Sequence, residues 1–241
     1  MMVYSKIFNL IYILLLIVLI IIIMFYINKN IICEKYSNNY YNDYSNNKNK
    51  WIILLTTAVN NDEERKKIYI NAINKWLNNT SFDIFVIESS NYNFDEIQND
   101  RLYVHTFNFN EKLSSSSQYE ARSILNILNN IKNNDKYNES THILKVTGRY
   151  YLDNIETVLN NLENDKDLYL QIHRNNDKKW QHSEYIGIRK NLLEQLANTI
   201  KDEGLFENKL YDFSLDKDYI QFGPFKNNIR RGGDNLLLSD L

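Results

Sequence analysis

From Trp51 onward, short apolar runs alternate with segments of helical periodicity, and this alternation constrains the fold more than any other feature. The run WIILLTTAV (51–59) is apolar except for two threonines, as in a strand buried on both faces. A helix is predicted within 62–78, because apolar side chains recur there at helical spacing. That stripe consists of Tyr69, Ala72, Ile73, Trp76 and Leu77.

The same alternation continues along the chain. Further strands are predicted at 82–88, 102–107, 142–147, 168–173 and 183–189. Further helices are predicted from about 117 (Ser117 and Glu120 in capping-box spacing), after 153 (Asp153 and Glu156 as caps) and across 192–200. Strands that alternate with helices predict an α/β fold with a mostly parallel sheet covered by helices on both faces. Ligand sites in such sheets lie beyond the carboxyl ends of the strands.

The N-terminal region has a different composition. Residues 8–27 are apolar except for Asn9, and as a helix they would span ~30 Å, the thickness of a bilayer core. A secretory signal peptide has a shorter apolar region and a small-residue cleavage site. We therefore expect a short tail (1–7), a retained signal anchor (8–27), a polar stem (28–50) and a folded domain (51–241). The domain is expected on the lumenal side of an ER- or Golgi-like or virus-associated membrane, although the flanking charges barely decide orientation.

Charge and motif content exclude several classes of protein. A net charge of −2 argues against a nucleic-acid partner, because phosphate binding needs clustered Lys and Arg. The sequence contains neither GxxxxGK[ST] nor GxGxxG, which disfavours P-loop enzymes and dinucleotide binders. Cys33 is the sole cysteine, so no intrachain disulfide forms, and no Cys/His cluster indicates zinc.

The stretch HILKVTGRYYLDN (142–154) places a lysine inside a predicted buried strand. An unpaired buried cation costs several kcal/mol, so Lys145 needs a partner or a role. Lys145 and Thr147 share one strand face, and Arg149 follows at the carboxyl end. Two cations and a hydroxyl there would neutralise a diphosphate. The alternative pairs Lys145 with a buried carboxylate and leaves Arg149 exposed.

Polar residues also follow the first two strands. Thr56, Thr57 and Arg65 suit a nucleotide or phosphate, unless Arg65 is simply solvated. Glu88 with Ser89 would accept hydrogen bonds from a ribose or a base, or form an ordinary turn.

Three later segments complete the candidate site. The loop 114–120 is rich in hydroxyls at a helix start, where it either caps the helix or binds a sugar or phosphate. Glu184 begins a strand and is a candidate general base, or an exposed acid. The basic loop 230–233 would fold over a pyrophosphate.

Over about 51–233 the chain resembles glycosyltransferases with the A-type nucleotide-sugar fold. The resemblance rests on WIILLTTAV, DIFVIESS, SSSSQYEARSIL, HILKVTGRYYL and QHSEYIGIRKNLL. The last three blocks resemble a small group in large DNA viruses and some microbes. This fold usually carries an Asp-x-Asp motif that holds a divalent cation against the donor diphosphate. Thr147, Gly148 and Arg149 occupy that position here, so the resemblance implies a metal-independent member in which Lys145 and Arg149 replace the cation.

The resemblance implies a membrane-anchored enzyme that transfers a sugar from a nucleotide-sugar donor to a glycan or protein acceptor, with no cofactor and no divalent metal. The implied catalytic residues are Glu184, Arg149 and Lys145. The implied donor-binding residues are Thr56, Thr57, Arg65, Glu88, Ser89, Thr147, Gly148, Arg230 and Arg231. The implied acceptor-binding residues are Tyr119, Glu120, Tyr150 and Ser183.

Two other functions stay open at this point. A non-catalytic membrane or virion interaction protein on a degenerate transferase fold would explain the missing Asp-x-Asp motif. A nucleotidyl- or sulfotransferase would need metal-binding carboxylates or a phosphosulfate-binding loop, and neither is visible in the sequence.

Overall fold

The computed structural model describes residues 49–162 and 165–226. The predicted anchor (8–27), nearly all of the stem, and Arg230 and Arg231 lie outside these ranges. Within them, no helix has both the length and the apolar character needed to cross a bilayer.

The described chain alternates strands and helices as predicted. The strands are β1 (Trp51–Thr57), β2 (Ile84–Glu88), β3 (Leu102–Thr106), β4 (His142–Thr147), β5 (Leu168–Gln171), β6 (Arg174–Asn175), β7 (Trp180–Gln181), β8 (Tyr185–Arg189) and β9 (Tyr219–Phe222). The helices are α1 (Glu63–Asn79), α2 (Ser116–Ile131), α3 (Asp135–Glu139), α4 (Ile155–Asn161), α5 (Lys190–Ile200) and α6 (Phe206–Phe213), followed by a 3-10 turn (Ser214–Asp216).

Seven strands form one sheet in the order β3-β2-β1-β4-β8-β5-β9, and β6 pairs with β7 in a separate hairpin. Every pairing in the large sheet is parallel except those of β8, which runs antiparallel to both β4 and β5. The predicted α/β fold with a mostly parallel sheet is therefore confirmed. Because β8 is reversed, its first residues lie at the edge where β1, β2 and β4 end.

Apolar side chains cover both faces of the sheet. The predicted stripe of α1 is fully confirmed, since all five of its residues are buried. One core cluster joins α1 and α4 to the sheet, and a second joins α2, α5 and α6 to the opposite face. Trp76 also donates its ring N–H to the Tyr150 carbonyl at 2.9 Å, which ties α1 to the segment after β4.

The start of α2 differs from the predicted capping box. Ser115, not Ser117, is the N-cap, and its side chain accepts the Gln118 N–H. Ser117 instead accepts the Phe206 N–H at 2.9 Å, and Glu120 turns towards Lys145. Both side chains contact elements that are distant in sequence, α6 and β4, and the sequence pattern around 117 does not show such contacts.

The predicted caps of α4 were also wrong. Asn154, at φ 58°, precedes the helix and makes no side-chain cap. Glu156 accepts the Ser81 N–H at 3.1 Å, so its carboxylate links α4 to the end of α1.

Gly187 in β8 is required by packing. A Cβ atom there would lie 2.8 Å from Tyr169 Cβ and 3.0 Å from the Trp51 ring. Two aromatic side chains therefore make the close approach that this glycine permits.

Candidate active site

A cavity of about 810 Å³ opens at the carboxyl ends of β1, β2 and β4 and the start of β8. This is the edge at which parallel sheets bind ligands. Eleven residues singled out from the sequence line it: Thr56, Thr57, Arg65, Ser89, Tyr119, Glu120, Thr147, Arg149, Tyr150, Ser183 and Glu184. Lys145, Glu88 and Gly148 do not line the cavity, and their placement differs from the expectation.

Arg149 is the cation that the β4 end presents to this cavity. Its Nε atom is buried and has no hydrogen-bond partner among the described residues. Its guanidinium carbon lies 5.5 Å from the centre of the Tyr150 ring. Arg149 lines the cavity, so an anionic ligand there would accept hydrogen bonds from the exposed part of its guanidinium.

Gly148 sets the position of Arg149. Its N–H donates to the Thr56 carbonyl at 2.9 Å, and a Cβ atom would lie 2.8 Å from that same oxygen. Only a residue without a side chain allows the β4 end to pass this close to β1.

Lys145 lies behind the cavity wall and is fully buried. Its ammonium is 2.5 Å from Glu120 Oε1, donates to the Ser183 carbonyl at 2.9 Å and sits 4.8 Å above the Phe206 ring. The expectation that Lys145 faces the cavity beside Arg149 was wrong. Its ammonium forms an ion pair with the carboxylate of Glu120 on α2. The alternative considered for Lys145, an internal ion pair, is what the structure shows.

Glu120 joins this buried pair to the cavity. Its Oε1 accepts from both Lys145 and the Thr56 hydroxyl, the latter at 3.0 Å. Its side chain is 21% exposed and lines the cavity. Two donors thus fix one oxygen of a carboxylate that still borders the ligand space. Tyr119 lines the same wall, and its hydroxyl accepts the Leu113 N–H at 2.9 Å.

Glu88 was expected to meet a ribose or a base, and the structure contradicts this placement. The residue is fully buried, and backbone N–H groups occupy its carboxylate. It accepts from Val59 N (2.7 Å), Ser90 N (2.8 Å), Ser90 Oγ (2.6 Å) and Tyr92 N (2.7 Å). Glu88 therefore organises the loops that border the cavity and does not contact a ligand.

Changing Glu88 to Gln is expected to lower the free energy of unfolding by about 2–4 kcal/mol. The amide replaces an acceptor with a donor that faces backbone N–H groups, and charge-assisted bonds are worth about 1.5–3 kcal/mol each. Urea denaturation measures this loss. The control is Glu203→Gln, whose side chain is 83% exposed and whose loss should stay below about 0.5 kcal/mol. Equal losses for the two variants would contradict this role of Glu88.

The cavity rim at β1 and β2 is rich in hydroxyls and amides. Arg65 on α1 donates to the Ala58 carbonyl at 3.2 Å and lines the cavity, as predicted. Ser89 lines the cavity too, whereas the Thr57 hydroxyl donates a hydrogen bond to the Ile87 carbonyl at 3.1 Å. Asn60 and Ser90 complete this rim, with Asn60 N–H donating to Ser90 Oγ at 2.8 Å.

Ser183 and Glu184 form the wall at the start of β8. Ser183 Oγ donates to Glu207 Oε1 at 3.1 Å, and the Glu184 side chain lies 3.3 Å from His182 Nδ1. Burial, and to a lesser degree the Glu184 charge, raises the pKa of Tyr185. That phenol therefore stays protonated and donates to the Phe222 carbonyl at 2.9 Å.

Sequence reasoning missed several lining residues. Glu207 on α6, Asn108 and Phe109 after β3, and Asn60 all border the cavity. No predicted element contained Glu207, because α6 falls in a segment with scattered aromatics and no clear periodicity. The adjacency of 108–109 to the end of a predicted strand was the one signal available for these two residues.

Thr147, Gly148 and Arg149 lie at the end of β4, where the resemblance leads us to expect a cation-binding motif. A hydroxyl, a glycine and a guanidinium are not a donor set for Mg²⁺ or Mn²⁺, which prefer carboxylate oxygens. Within residues 49–162 and 165–226, no group of three or more His, Cys, Asp or Glu side chains could hold a metal ion.

No protein-family model and no curated protein matches this sequence. Among solved structures, the chain is similar to the glycosyltransferase GlyE of Streptococcus pneumoniae TIGR4, at 10% identity and a TM-score of 0.48. That match covers 73% of this chain but only 45% of GlyE. The chain is also similar to a glycosyltransferase involved in glycosylation of the major capsid of PBCV-1, at 8% identity and a TM-score of 0.47, covering 74% of this chain and 85% of that one. A third similar structure is the galactosyltransferase LgtC in complex with donor and acceptor sugar analogues, at 11% identity and a TM-score of 0.43, covering 70% and 72%.

Proposed function

We propose that this chain is a glycosyltransferase that moves a sugar from a nucleotide-sugar donor to a hydroxyl of a glycan or protein acceptor. The observation that carries the proposal is Arg149, a cation at the end of β4 that lines the strand-end cavity. A diphosphate is the ligand chemistry that satisfies such a group at this edge of an α/β sheet.

The donor occupies the side of the cavity formed by β1, β2 and α1. Ser89, Ser90 and Asn60 offer hydrogen bonds to the nucleoside, and Arg65 adds a cation at the rim. The diphosphate lies beside Arg149, with the Thr147 hydroxyl at the same strand end. As the bond from the anomeric carbon to the diphosphate breaks, Arg149 stabilises the negative charge that develops on the leaving group.

The acceptor occupies the opposite wall, formed by α2, α6 and the start of β8. Tyr119, Glu120 and Tyr150 contact it, as does Ser183, which Glu207 holds. Glu184 takes the proton of the attacking hydroxyl as that oxygen bonds to the anomeric carbon. In this scheme Lys145 holds Glu120 in place and does not touch the substrates.

The proposal includes a membrane anchor at 8–27 and catalysis without a divalent metal. The apolar run supports the first part, and the guanidinium at the usual metal position supports the second.

A donor panel tests the proposed function. The full-length chain in detergent is incubated with nucleotide sugars of several bases and sugars, and release of nucleoside diphosphate is measured. We expect turnover of at least one donor, with rates in EDTA within about twofold of rates with Mn²⁺ or Mg²⁺. Loss of turnover in EDTA would overturn metal independence. Absence of both binding and turnover across the panel would overturn the proposed function.

A further inference from the structure

The segment 181–184 is held rigidly where it enters the cavity. Residues of β4 and residues at the end of β5 form hydrogen bonds with its polar groups. The bonds are Gln181 Nε2 to Gln171 O (2.7 Å), His182 N to His173 O (3.1 Å), Lys145 Nζ to Ser183 O (2.9 Å) and Thr147 N to Glu184 O (2.8 Å). Because these hydrogen bonds hold the segment in place, the orientation of each of its side chains depends on the contacts that this side chain makes.

Within this rigid segment, His182 contacts the proposed general base. Its Nδ1 lies 3.3 Å from Glu184 Oε2 and both atoms are buried, but this approach does not have hydrogen-bond geometry. A carboxylate offers acceptors and no donor, so the contact is attractive only when Nδ1 carries the hydrogen. The Glu184 side chain is 9% exposed and that of His182 is 24% exposed. The imidazole therefore lies between the carboxylate of the cavity wall and solvent.

We propose that His182 is a positioning residue for Glu184, and that a small rotation of its ring brings Nδ1–H into hydrogen-bond geometry with the carboxylate. This inference rests on the proposed function, in which Glu184 takes the acceptor proton. The acceptor oxygen bonds to the anomeric carbon while the bond to the diphosphate breaks. The diphosphate leaves with the electron pair, and the proton moves to Glu184. The Nδ1–H bond fixes the orientation in which the carboxylate receives it.

The surroundings of His182 supply a matched control. The His173 ring lies beside it across the β6–β7 hairpin, with ring centroids 5.3 Å apart and an interplanar angle of 57°. His173 does not line the cavity. Glu207 of α6 accepts a hydrogen bond from the neighbouring Ser183. A change at His173 alters the same hairpin without removing the proposed hydrogen bond.

The hydrogen bond is tested without any substrate. The chain has four histidines, so ¹⁵N-imidazole NMR of the full-length protein resolves each ring by single substitutions. We expect His182 to show the Nδ1–H tautomer, and to move towards the Nε2–H tautomer in Glu184→Ala. An Nε2–H tautomer in the unmodified protein, or no change in Glu184→Ala, would overturn the inference whatever the activity.

Kinetics test the role in transfer. His182→Ala is expected to lower kcat by about 10- to 100-fold with the donor KM within about twofold, because proton transfer is affected and donor binding is not. His182→Asn, whose side-chain amide can donate in place of Nδ1–H, should restore most of kcat, and His173→Asn should match the unmodified enzyme. Equal losses for His182→Ala and His182→Asn, or no loss, would overturn the inference. If no donor is turned over at all, the proposed function fails, while the NMR result still decides the contact.

Discussion

Arg149→Ala is expected to lower sugar transfer by about 100- to 1,000-fold, the usual cost of removing one group that stabilises developing charge. The loss should appear in kcat as well as in donor affinity, because the leaving diphosphate carries more charge in the transition state than in the bound donor. Arg149→Lys should recover only part of the rate, since an ammonium cannot reproduce the two-pronged contact of a guanidinium. Nucleoside diphosphate release, measured at saturating and limiting donor, separates the two effects.

The same substitution should leave the fold intact. Arg149 Nε has no acceptor among the described residues, so its removal breaks no hydrogen bond at that atom. The melting temperature should be unchanged or slightly raised. Lys75→Ala is the control, since Lys75 is an exposed cation on α1 outside the cavity. The proposed role would be wrong if Arg149→Ala retained full activity. It would also be wrong if the melting temperature of Arg149→Ala fell well below that of Lys75→Ala, because the loss of activity would then reflect unfolding. A non-catalytic protein would show no site-specific loss at all.

Glu120→Leu is expected to lower the free energy of unfolding by about 3–5 kcal/mol, because it leaves Lys145 fully buried and without its carboxylate partner. For a domain of this size the melting temperature should fall by roughly 10 °C. Lys145→Met should cost less, since the remaining Glu120 is partly exposed and water can solvate it. Calorimetry or urea denaturation of both variants measures this asymmetry.

The double variant Lys145→Met/Glu120→Leu completes the cycle. It should recover most of the stability lost in Glu120→Leu, because replacing both members of a buried pair by apolar groups removes the uncompensated charge. Transfer should remain impaired, since Glu120 borders the cavity. Additive losses in the double variant would show that the two side chains do not interact as the 2.5 Å contact indicates.

The sheet and the place of the cavity could be predicted because both follow from patterns local to the chain. A continuous apolar run identified β1, the spacing of five side chains identified the buried face of α1, and strand-helix alternation located the ligand edge. Arg149 and Glu184 were found by their position at strand ends, and Arg65 by its position one turn before Tyr69 on the predicted first helix.

The contacts of the charged residues could not be predicted in this way. Lys145 required a partner, but nothing near it in sequence indicated Glu120, which lies on α2. An acid at a strand end can contact a ligand or hold a neighbouring loop, and the sequence alone does not distinguish these two roles. The loop geometry shows that backbone N–H groups donate to the Glu88 carboxylate. Glu207 was missed because α6 had not been identified as a helix.

The reversed strand β8 has a consequence for how the chain is made. In the sheet it separates β4 from β5, yet it is synthesised after both. Until Tyr185–Arg189 leaves the ribosome, β4 has an open apolar edge and β5 has no strand to pair with. Open edges of this kind recruit other chains. The nascent chain is therefore open to aggregation at this edge from the time β4 leaves the ribosome until β8 follows it.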